Sequence, residues 1–130
     1  MASDAPNVLG WRIVNNFVHD MATGTWAACV LVVWMISRRF ISAKPLFAGN
    51  EGAFDLARGV LQDAQHAVWW LLLGALVALV VTGAIRTLYW RRETSDKELA
   101  TRRKLLIGKH IAFLVIYGLG SLWASSLLIR

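Results

Sequence analysis

Three stretches of this chain carry no Lys, Arg, Asp or Glu: residues 21–36, 67–85 and 111–129, of 16, 19 and 19 residues. A 130-residue chain folding in water has no core large enough to hide three such runs. About 20 apolar residues are, by contrast, what one helix needs to cross ~30 Å of hydrocarbon. The pattern predicts an all-α integral membrane protein, a three-transmembrane-helix bundle forming a single membrane domain over residues 1–130. Charged residues make up only 17% of the chain, where a soluble domain carries ~25%.

The first run is too short if counted from Met21, so its helix should begin near Trp11 or Ile13, which draws Asn15, Asn16, His19 and Asp20 into it. The expected spans are 13–37, 66–90 and 104–128. Residues 42–65 hold Pro45, Gly49, Gly52 and Gly59 and read as a loop. Within it Phe54, Ala57, Leu61, Ala64 and Val68 recur at helical spacing, which predicts a short interfacial amphipathic helix before the second span. Ser95 followed three residues on by Glu98 has the capping-box pattern, so the third helix should start in water at Ser95. Helices two and three would then form an antiparallel hairpin with a basic tip. Residues 1–10 contain Asp4 and Pro6 and no basic residue, which favours an uncleaved first span over a signal peptide.

The net charge of +6 sits beside the apolar runs and not on a soluble basic face, which argues for membrane topology and against nucleic acid. Nine of the 14 basic residues (Arg12, Arg86, Arg91, Arg92, Lys97, Arg102, Arg103, Lys104 and Lys109) lie in the N-terminal tail and second loop. The other five, Arg38, Arg39, Lys44, Arg58 and Arg130, lie in the first loop and at the C-terminus. The positive-inside rule then places the N-terminus in the cytoplasm and the C-terminus outside, with the inner membrane of a bacterium as the expected setting. The basic loop would also touch anionic lipid. Cys29 is the single cysteine and reads as a small buried hydrophobe.

Ionisable residues inside a membrane are costly, so the three histidines are the natural functional candidates. His19 lies seven residues past Arg12 and His110 six past Lys104, ~10 and ~9 Å from those charges and from the same side. Two histidines at one depth on different helices suit axial ligation of a b-type haem. Trp26 lies beyond His19, and Tyr117 beyond His110, at the same offset on each helix face. Arg12, Arg102 and Arg103 lie at the membrane edge, where haem carboxylates would point. His66 belongs to the opposite leaflet, an interfacial residue or a second site shared with a partner chain. No CxxCH is present, so covalent haem attachment is excluded. Gly74, Ala78 and Thr82 form a small-residue ridge on helix two, and Gly120 with Ala124 forms another on helix three. The seven tryptophans read mostly as interfacial anchors. There is no Walker motif, HExxH or pair of catalytic carboxylates.

The string Val18-His19-Asp20-Met21-Ala22-Thr23-Gly24-Thr25-Trp26 resembles the small membrane proteins of the copper-resistance D and HemJ-type protoporphyrinogen oxidase group. In those proteins a first-helix histidine precedes a Thr-Trp or similar pair, and a later helix carries a lysine followed by an apolar run. Lys109, within Leu106-Ile107-Gly108-Lys109-His110-Ile111, looks like that lysine. The resemblance implies a haem- or metal-associated bundle with His19 and Lys109 at the matching positions. The expectation is a haem b-holding subunit of a redox complex, exchanging electrons with quinone or a partner membrane subunit, and not a stand-alone enzyme. The rivals are a cofactor-free accessory subunit and, from the resemblance, a porphyrin-oxidising enzyme.

Overall fold

The computed structural model describes residues 5–93 and 96–129, with side chains for residues 10–88 and 108–129. The chain is three helices: α1 (Ala5–Ala43), α2 (Glu51–Glu93) and α3 (Asp96–Ser126). One 3-10 turn, Lys44–Phe47, joins α1 to α2. The expected spans fall within these helices apart from residues 127 and 128, which lie just past the end of α3. The expected start at Ser95 lies outside the described residues.

Two helical segments, Gly10–Phe47 and Glu51–Leu88, are long and apolar enough to cross a membrane. α3 is shorter, at 31 residues, and spends its first third on the charged segment 96–104.

The segment between the first two helices differs from its sequence reading. Residues 42–65 are not a loop with a separate interfacial helix, because α2 runs unbroken for 43 residues from Glu51. The turn shrinks to what local chemistry requires. Pro45 sits in the first positions of the 3-10 turn, and Gly49 takes φ +88°, a conformation that a side chain disfavours. Asn50 then caps α2, its Oδ1 accepting from Ala53 N at 3.2 Å. The amphipathic pattern itself is real, with Phe54, Ala57, Leu61, Ala64 and Val68 all half-buried. That face packs on α1: Phe54 stacks on Phe40 at 5.1 Å and meets Phe47 edge-on at 5.7 Å.

α1 and α2 form an antiparallel pair with a seam of alternating four- and three-residue steps, the spacing of a left-handed coiled coil. On α1 the buried positions that follow it are Asn15, Ala22, Trp26, Cys29 and Val33, with half-buried His19 filling the gap, and buried Ser37 lies a further four residues on. On α2 they are Gln65, Leu72, Ala75, Leu79 and Thr82, with Val68 half-buried between them. Small side chains at Ala22, Cys29, Ser37 and Ala75 bring the backbones close. The expected ridge is displaced by one step. Ala78 and Thr82 join the interface, but Gly74 is exposed and meets nothing within 4 Å.

Among the described residues, α3 leans on α1 more than on α2, where the hairpin expectation had put it. The joint is Trp26, which is buried in the core and not an interfacial anchor. Its Nε1 donates to Ser121 Oγ at 3.0 Å, and its ring meets Tyr117 edge-on at 4.6 Å. Ala124 is fully buried in the same joint. α3 reaches α2 at its far end through the fully buried Gln65. The Gln65 amide donates to Val33 O at 3.2 Å and Leu127 O at 3.5 Å, and its Oε1 accepts from Ile129 N at 2.8 Å. One side chain thus ties α1 and α2 to the residues just past α3.

Candidate functional site

The end of the bundle away from Gln65 holds a second buried polar group, built around Thr82. Asn15 Nδ2 donates to Thr82 O at 3.1 Å, and His19 Nδ1 lies 2.9 Å from Thr82 Oγ1. The Thr82 hydroxyl also lies 2.6 Å from Ala78 O and 3.3 Å from Leu79 O, the back-bonding that hydroxyl side chains make inside helices. Every buried side-chain polar atom among the described residues has a partner. The His19 ring packs against Gly83, where an added Cβ would come within 3.8 Å of Cε1. The charged groups that bear on the ring are Arg86, Asp20 and Lys109, from all three helices. Arg86 was absent from the sequence-based candidates, although it lies one helical turn beyond Thr82 on the same face.

The Trp26 joint sets the register of α3 against α1. His19 precedes Trp26 by seven residues and His110 precedes Tyr117 by seven, and the two aromatic rings touch. With α1 and α3 running the same way, each histidine lies seven residues, about 10 Å of helix, to the same side of that contact. Lys109 stands beside them, its ammonium 5.3 Å from the centroid of the Phe113 ring. His110 is exposed, as are all residues from 108 to 116. Arg12 is half-buried on α1. Arg102 and Arg103 belong to the α3 backbone, and their side chains lie outside the described residues.

His66 is exposed on α2 next to Gln65. The Gln65–Val33 bond places it fourteen residues, about 21 Å, from the height of His19. The structure therefore groups His19, His110 and Lys109 at one end with Trp26 and Tyr117 above them, and leaves His66 at the other. Among the described residues, no three His, Cys, Asp or Glu side chains form a metal-holding group.

No family model, no curated protein and no solved structure matches the chain.

Proposed function

We propose that this chain is a three-span membrane subunit that holds a b-type haem between α1 and α3, with His19 and His110 as its axial ligands and an electron-transfer role within a larger redox complex. The observation that carries the reading is the Trp26–Tyr117 contact, because a histidine lies seven residues before each ring on its own helix, which supports a matched depth for the two. His19 is further held by a polar partner on its second ring nitrogen, as metal-binding histidines usually are. Trp26 and Tyr117 would close the space on the core side, with Arg12 and Arg86 as cations for carboxylates on the other, to which the sequence pattern adds Arg102 and Arg103. Bound haem supplies one-electron redox chemistry. The chain's own residues would orient it, exclude water and balance its charge. The resemblance to the HemJ-type group makes Lys109 the alternative second ligand, which would have to leave Phe113 and lose a proton to bind as the neutral amine. The N-terminus and the basic second loop face the cytoplasm in this reading, and the C-terminus faces outward. Quinone or a partner subunit would be the electron donor or acceptor.

The test is a reduced-minus-oxidised absorption spectrum of the purified chain or its complex. His19→Ala and His110→Ala should each abolish a low-spin b-type spectrum, and His66→Ala should preserve it. Retention of the spectrum in His19→Ala would overturn the assignment. Retention in His110→Ala with loss in Lys109→Ala would move the second ligand to Lys109.

A second reading, a cofactor-free accessory subunit, is favoured by the exposed apolar side chains of α3. Leu114 is 77% exposed, Leu119 62% and Leu122 67%, a surface suited to a groove between other membrane helices. The absence of any b-type spectrum from the intact complex would select it.

A further inference from the structure

We propose that Thr82 is a positioning residue whose hydroxyl holds neutral His19 in its Nδ1–H form, keeping Nε2 as a bare lone-pair donor for a metal centre. The argument rests on where one proton must be. Thr82 Oγ1 has a single hydrogen and two close partners, His19 Nδ1 at 2.9 Å and Ala78 O at 2.6 Å. A backbone carbonyl only accepts. Two oxygens 2.6 Å apart with no proton between them would repel, so the hydroxyl proton lies on the Ala78 side. Thr82 Oγ1 is then an acceptor towards the ring, and Nδ1 must carry the hydrogen that it accepts. A neutral imidazole has one N–H, so Nε2 is left with its lone pair.

The rest of the α1–α2 interface makes this arrangement stiff. Thr82 is buried, and its carbonyl is anchored to Asn15 Nδ2. The Thr23 hydroxyl donates to His19 O, not to the ring, and Gly83 leaves room for the ring edge. Exchange between the two ring forms would require the Thr82 hydroxyl to abandon a short bond to Ala78. The sequence reading took Thr82 for a small residue that lets helices approach. The structure gives it a chemical task as well.

The proposal deepens the haem reading and rests on it only for what the lone pair ligates, since the ring form is a property of the protein alone. The experiment uses the full chain, labelled with ¹⁵N-histidine, in lipid bilayers without haem and at a pH where the ring is neutral. His66→Asn and His110→Asn variants assign the signals. The His19 Nε2 resonance should lie in the unprotonated range and Nδ1 in the protonated range. Thr82→Val should shift the ring towards Nε2–H, and Thr82→Ser should restore the wild-type pattern. Should Thr82→Val lose its helical circular dichroism, Thr82→Ala takes its place. An Nε2–H ring in the wild type, or an unchanged ring in the hydroxyl-free variant, overturns the proposal. Haem occupancy, measured separately, should fall about 10–100-fold in Thr82→Val. A chain with the Nδ1–H ring and no b-type spectrum in its complex would sink the haem reading and leave the role of Thr82 standing.

Discussion

A methyl group added at Gly120 would sit 2.7 Å from both Cη2 and Cζ2 of Trp26. The indole cannot swing aside without giving up its bond to Ser121 and its edge contact with Tyr117. Gly120→Ala should therefore destabilise the docking of α3 by about 1–3 kcal/mol, although a helical Gly→Ala change alone would be favourable by about 1 kcal/mol. Gly118→Ala, where nothing lies within 4 Å, is the matched control and should be neutral or stabilising. Thermal unfolding in detergent compares the two, and equal melting temperatures would mean that α3 is not seated on Trp26. Both halves of this contact were visible in the sequence, Gly120 as part of a small-residue ridge and Trp26 as one of seven indoles. Their meeting was not. The indole N–H needs a partner when buried, and here the partner is 95 residues away, beyond any local pattern.

At the scale of the helices, existence and direction were legible, and the packing faces were not. A helix in water announces its buried face by contrast with polar residues. A helix with apolar residues on every side has no such contrast. The α1–α2 interface is marked instead by small and polar residues (Asn15, Ala22, Cys29 and Ser37 opposite Gln65, Ala75 and Thr82), the reverse of the usual signal. Gln65 fell in the segment read as a loop, and helical continuity from Glu51 is what places it between the helices. Gln65→Leu keeps the volume and removes every bond to Val33 O, Leu127 O and Ile129 N. It should destabilise the bundle by about 1–3 kcal/mol, because Ile129 N loses its acceptor in a closed site. Hydrogen exchange at residues 127–129 should quicken relative to the Trp26 joint. Unchanged exchange there would show that the last turn is held by packing alone.

For the whole molecule, the decisive quantity is length. Each apolar helical segment of the α1–α2 pair has 38 residues, about 57 Å, against ~30 Å of hydrocarbon. A pair that crosses the membrane must therefore project well beyond it. The Phe40–Phe47–Phe54 cluster and the exposed charges Arg39, Lys44, Glu51 and Asp55 fit a projecting tip. In the proposed orientation this tip lies outside the cell and the segment 91–96 lies inside. Cys29 is only 4% exposed, so it contributes little background to thiol labelling. An impermeant reagent added to intact cells should modify Ala48→Cys and spare Thr94→Cys, and permeabilisation should expose the latter. The reverse pattern would invert the topology, with Arg38 and Arg39 outweighing the nine-to-five excess of basic residues. Modification of both in intact cells would mean that α2 does not cross at all. The haem site would then have to form in water, where the exposed residues 108–116 of α3 give it no cover.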